Sequence, residues 1–181
     1  MAEQRIELHE LGRRIAVLPF QNPRLKAFIR DELVLLDKLD VPHIRYHEER
    51  VIFCMSAAAF AIRAYLAAGE LSDEVSSGFS SFLRDYGASA SERLTTVQLL
   101  QKRVGGYGYA ATMELLPPHE RRSTTLVSEF ASVLSEHSSM ATMDMQIAGD
   151  LVERYVVPLW HQEVQNVGVA LKTAGLPIQE R

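Results

Sequence analysis

The sequence predicts an all-α protein, a single domain built as a bundle or array of about six helices. Three observations lead there. Runs that alternate apolar and polar residues are nearly absent, and RRIAVLPF, residues 13–20, is the only fair strand candidate. Apolar residues recur at helical spacing along most of the chain, between Pro, Gly, Ser and Asn residues that suit helix ends. Between Val51 and Leu66 the chain is apolar on nearly every side, the pattern of a helix enclosed by others.

In order along the chain, residues 1–20 form an amino-terminal segment that can serve as an interface arm, and 13–20 is left open between strand and helix. The first clear helix starts at Asn22, a capping residue, with Pro23 at a position where the missing N–H costs nothing. Leu25, Phe28, Ile29, Leu33, Leu36 and Leu39 make its apolar face, and it ends at Asp40-Val41-Pro42. The second, central helix covers about 43–68 and closes at Gly69. A third follows over 70–87, with Leu71, Val75, Phe79, Phe82 and Leu83 inward. Ser89 or Ser91 caps a fourth through Leu94, Val97, Leu100 and Val104, and the glycines of GGYGYA (105–110) break or bend it before Pro117-Pro118. A fifth helix is expected over 119–138. The last covers about 142–174, kinked at Pro158, which removes a donor and crowds the preceding turn. No repeat and no long linker divides the chain.

The 181 residues are 47% hydrophobic and 23% charged, which suits a globular chain with a sizeable core. The net charge is −4, with acids slightly in excess in both halves, so composition offers no basic face for nucleic acid. The run from Val51 to Ala68 nears membrane-spanning length but holds Arg63 and many small residues. The first residues are too polar and acidic for a secretory or transit peptide. A cytoplasmic protein with no membrane partner is expected. Cys54, the single cysteine, excludes an internal disulfide and reads as a small core residue.

Each chemical motif is weak when set against its plain structural alternative. His43 and His47, four apart, share a helix face in the geometry by which two imidazoles clasp a metal or haem iron, with Asp37, Asp40, Glu48 and Glu49 near in sequence. His161 and Glu163 are remote candidates. No HExxH or Glu-x-x-His pair completes the set, and the structural alternative is a polar start to the central helix. Gly106-x-Gly108-x-x-Ala111 echoes a dinucleotide fingerprint. It follows a helix instead of a strand, however, and Glu129 would be its ill-placed acid. Ser89 in GASAS lacks the strand-to-helix turn of a nucleophile elbow. Arg63, a charge in an apolar helix, must reach water or an acid such as Asp144, Asp150 or Glu153, or else anchor an anion. Met140, Met143, Met145, Tyr155, Trp160 and His161 give the last helix a soft, aromatic face suited to the core or to an interface.

These observations favour a non-catalytic helical protein that acts through protein–protein contacts, as a regulator, adaptor or assembly subunit. A homodimer is expected, because the first segment and the last helix both have apolar faces to cover. The alternative is a sensor or carrier for a small apolar ligand or cofactor, oriented between helices by Arg63, Tyr107, Tyr109 or His161. A metal- or haem-binding protein centred on His43 and His47 is third. No cofactor is strongly implied.

Overall fold

The computed structural model describes residues 2–89, 93–117 and 124–179. Among them are seven helices and no strand. They are α1 (Ala2–Gln21), α2 (Arg30–Leu39), α3 (His43–Tyr65), α4 (Glu70–Ser89), α5 (Arg93–Leu115), α6 (Leu126–His137) and a long last helix. In that last helix α7 (Met145–Leu151) runs through a π turn (Val152–Val156) into α8 (Val157–Thr173). The all-α array with a buried central helix is therefore the observed fold, with one helix more than the sequence suggests.

The additional helix holds the strand candidate. Residues 13–20 belong to α1, because Leu8, Leu11, Ile15 and Leu18 form a helical stripe that outweighs the short alternation around Ile15. This stripe packs on α4. At the crossing, a Cβ on Gly12 would lie 2.0 Å from the Val75 carbonyl oxygen, and one on Gly78 would lie 1.8 Å from that of His9. The two backbones touch, and no residue with a side chain fits at either point.

The expected helix from Asn22 to Asp40 is divided. Asn22 does cap, accepting from the Arg24 N–H at 3.0 Å, but only a 3-10 turn follows (Pro23–Leu25). The chain then extends to Ile29, whose N–H donates to the Glu32 carboxylate at 3.2 Å. Glu32 thus supplies a second helix start inside the predicted helix. At the other end Asp40 adopts the left-handed conformation (φ 49°), and Val41 N–H donates to the Leu36 carbonyl. Ser138 and Ser139 lock this corner: the Ser138 hydroxyl donates to the Leu39 carbonyl, and the Ser139 N–H and hydroxyl bond to Asp40.

α3 stops at Tyr65, three residues before the expected end, because Leu66 turns to an extended conformation and buries. Gly69 (φ +147°) then starts the path into α4, a conformation open only to glycine. α5 is unbroken. Gly105, Gly106 and Gly108 lie within it as helical residues, so the expected break at GGYGYA is absent. Leu94 and Val97 fall among residues whose side chains lie outside the described set, as does Ser91. The start of the expected fifth helix, 119–123, is also outside it. α6 begins at Leu126 with Thr125 as cap, which trades hydrogen bonds with Ser128.

The last helix carries a π turn, Val152–Val156, directly before Pro158. Its inward residues Ala148, Val152, Val156 and Trp160 are four apart, and in a regular α-helix each such step drifts by about 40°. The wider π turn offsets this drift and also accommodates the donor that Pro158 lacks, so the stripe stays inward.

α3 divides the core. On one side Phe53 meets Tyr107, Phe130 and Trp160 at ring-centroid distances of 4.9, 5.1 and 5.0 Å, tying α3 to α5, α6 and α8. On the other, Cys54, Met55, Ala58, Ala61 and Ile62 pack on α1, α4 and α8. The alanines let these neighbours approach closely. The carboxy-terminal tail closes one end, with Gln179 N–H donating to the Tyr65 carbonyl and the Tyr65 ring against Gly168.

Candidate functional site

The histidine pair opens α3 as a polar lip. His43 Nε2 lies 3.1 Å from Asp37 Oδ1, the contact that the helical hairpin allows, and both imidazoles flank the Phe28 ring at about 6 Å. Asp40 is engaged elsewhere, by Ser139. Glu49 turns inward, and Glu48 pairs with Arg45 on the surface. Among the described residues no group of three or more His, Cys, Asp or Glu is placed to hold a metal ion.

The four predicted pocket residues are separated. Arg63 and Tyr109 do share a hollow of about 400 Å3 between α3 and α5, floored by Gly105 and Gly108. A second hollow of about 530 Å3 lies toward α4, lined by Ile62, Phe79 and Leu100 with Ser72, Asp73 and Arg84, and Arg63, Val104 and Gly105 border both. Arg63 is exposed, and its Nε donates to its own helix at Ala59 O, so this charge reaches water instead of Asp144, Asp150 or Glu153. Tyr107 is fully buried in the aromatic core. His161 is exposed on α8, away from the hollows.

Tyr107 instead reveals a buried polar network. Its hydroxyl donates to Glu49 Oε1 at 2.6 Å, and burial followed by the Glu49 charge pushes its pKa well above 10. Arg103 Nε sits 3.9 Å from Glu49 Oε2, and His137 Nε2 lies 3.8 Å away. Arg103 also grips Glu136 with two nitrogens. Burial alone would lower the Arg103 pKa, but the Glu136 hydrogen bond and the charges of Glu49 and Glu136 raise it. The same hydrogen bond holds Glu136 below its ordinary value. The network bolts α3 to α5 and α6.

A second constellation faces the other way from the adjacent residue. Arg50 is 2% exposed and lies over the Phe28 and Tyr46 rings at 5.1 and 5.4 Å. Its Nη2 donates to the Arg24 carbonyl at 2.6 Å, and Nη1 stands 3.3 Å from Glu32 Oε1. Glu32 accepts from the Tyr46 hydroxyl at 2.8 Å on Oε1 and from Ile29 N–H on Oε2. Burial, then the Glu32 charge, raises the Tyr46 pKa. Arg50 Nε and Nη1 lack hydrogen-bond acceptors. Glu32 and Arg50 line a cavity of about 500 Å3 whose far wall is Arg154, Tyr155, Pro158 and Leu159, positioned by the π turn.

The sequence carried a signal for both constellations. Tyr46, Glu49/Arg50, Phe53 and Ala57 follow the i, i+3/4, i+7 rule, so the charges fall on the inward face of α3. Glu163, a remote metal candidate on sequence, has the same inward phase. It lies in the Trp160/Val167/Leu171 stripe, fully buried, with Oε1 unbonded and only Asn166 near Oε2, and burial raises its pKa to about 7. Burial, with the nearby Glu163 charge next in weight, also pushes the Cys54 thiol up, so Cys54 is an unreactive core residue.

Comparison with protein-family models, curated proteins and solved structures finds no match. Function therefore rests on the geometry. Among the described residues, no helix is long and apolar enough to cross a membrane.

Proposed function

We propose that the chain is a non-catalytic, cytoplasmic helical protein that works through protein–protein contacts, as a regulator, adaptor or assembly subunit. The carrying observation is the neighbouring pair of hollows along α5, between α3 and α4, that share Arg63, Val104 and Gly105 as lining. A side chain added at Gly105 or Gly108 would meet nothing within 4 Å, so the α5 backbone is bare where a partner segment would lie. Tyr109, 42% exposed, stands beside it as an aromatic anchor, and Arg63 supplies a solvated charge at the rim. Two open hollows side by side suit a peptide segment better than an enclosed small molecule.

A photo-crosslinking residue at Tyr109, compared with one at the exposed Lys172, tests the proposal in cells. A discrete adduct from position 109 alone, lost on Gly108→Trp, is expected. Equal labelling from both positions, or none, rejects the groove. A homodimer belongs to the same proposal, supported by Met145 and Val169 exposed on the last helix. Native mass measurement at micromolar concentration should give twice the 20.3 kDa chain. A sensor or carrier of a small apolar ligand is the second reading. It keeps Arg63 and Tyr109 together in the groove but loses Tyr107 and His161.

A further inference from the structure

We propose that the partner segment in the α5 groove is a single amphipathic α-helix, packed close on the α5 backbone and presenting acidic side chains to Arg63 and Arg84. This rests on the reading of the groove as a protein-docking surface and adds the form and charge of what docks. Backbone chemistry decides the form. The groove walls, α3, α4 and α5, are helices that bond their own N–H and C=O groups along their length, and no strand edge exists among the described residues. An extended segment would bury its backbone there without partners, whereas a helix satisfies its own.

The outward face of α5 fits that shape. Gln101, Gly105, Gly108, Thr112 and Leu115 follow one another at steps of four, three, four and three, the seam by which one helix packs along another. None of the five is buried. Glycine weakens a helix, and Gly106 at least has the Glu129 carboxylate 2.6 Å from where its Cβ would be. Gly105 and Gly108 meet nothing within 4 Å, and a bare backbone at both lets a second helix axis come close.

Polar groups beside the seam point the same way. Ser72 lines the hollow that Gln101 and Gly105 also line; it is 6% exposed, and its hydroxyl makes no hydrogen bond among the described residues. A hydroxyl so deeply placed and left without a partner is costly, and a polar side chain entering the hollow supplies one. Arg63 and Arg84, both exposed, stand on this hollow with one acid, Asp73, in a chain whose net charge is −4. Among the described residues the groove is thus basic on a molecule that is acidic as a whole, and it attracts an acidic segment.

A displayed library of random peptides of about 16 residues, roughly four helical turns, selected on the full chain with Gly108→Trp as counter-selection, tests this. The tryptophan falls where a Cβ meets nothing, so that variant should keep its circular dichroism. Peptides that bind the wild type and not Gly108→Trp should be net acidic, with small or apolar residues at i, i+3 or i+4, and i+7. Such a peptide should gain helicity on binding and, by fluorescence anisotropy, lose about tenfold in affinity for Arg63→Gln and more when Arg84→Gln is added. Groove-dependent peptides that are proline-rich and extended, or that bind the double variant as tightly as the wild type, overturn this proposal while protein docking stands. No peptide that distinguishes the wild type from Gly108→Trp overturns both. A native mass that halves in Gly108→Trp assigns the groove to a second copy of the chain and overturns the partner helix.

Discussion

Replacing Glu163 with glutamine should make the protein more stable at high pH while leaving it nearly unchanged at pH 4. The carboxyl is fully buried, no cation among the described residues pairs with it, and its pKa rises from an ordinary 4.5 to about 7. In the unfolded chain the group ionises through pH 4.5, whereas in the folded protein it holds its proton until about 7. Between these values the unfolded state binds fewer protons, so stability falls as pH rises, by about 1.4 kcal/mol per pH unit. The gap of about 2.5 pH units gives a loss of about 3 kcal/mol, complete by about pH 8. The amide of the Glu163→Gln variant cannot ionise and escapes the loss. Urea unfolding of both proteins at each pH from 4 to 8 isolates the effect, because the other carboxylates cancel in the difference. The difference should grow by about 3 kcal/mol in favour of Glu163→Gln, and a difference that stays flat would refute the reasoning.

Gly78→Ala puts a Cβ against the His9 carbonyl and should cost more than about 3 kcal/mol in thermal or urea unfolding. Gly105→Ala, helical with nothing within 4 Å, should instead stabilise by about 1 kcal/mol. Tyr107→Phe leaves Glu49 short of a buried donor and should cost about 1.5–3 kcal/mol, read by the same unfolding curves. His47→Ala should change stability by about 1 kcal/mol or less, since the ring only edges Phe28. Equilibrium dialysis against Zn2+ should find the same low retention with and without His47, and stoichiometric zinc in the wild type alone would revive the metal reading.

The fold was legible where apolar spacing is long and unambiguous. α3, α4 and the last helix follow directly from their stripes. Boundaries failed where a side chain far along the chain decides them. Glu32 starts α2 by a bond only three residues back, but Ile29 lacks the Ser or Thr that marks such a start in sequence, and nothing local says that Leu66 will leave α3 to bury. GGYGYA was misleading because glycine permits a bend without requiring one, and α5 packs on both sides of these residues. Pro158 marked the right region, but the four-residue spacing of inward positions turns strain into a π turn. Arg63 and Tyr109 were both named from sequence, and the unbroken α5 places Tyr109 on the hollow that Arg63 also lines. Glu49, Arg50 and Glu163 were not, since the habit of placing charges outside outweighed their inward phase. Arg50 in particular is stable inside only because Phe28, Tyr46 and Glu32 converge on it from elsewhere in the sequence.

The α1–α4 seam also sets an order in time. Gly12 and Gly78 are 66 residues apart, so at about 5–20 residues per second the ribosome completes the second half roughly 3–13 s after the first. A lone helix of α1's length is barely stable in water. During those seconds Leu8, Ile15 and Ala16 have no α4 to bury them, and the nascent chain offers this stripe to solvent or to a chaperone. The seam that admits no side chain at Gly12 or Gly78 is thus one that α1 must wait for.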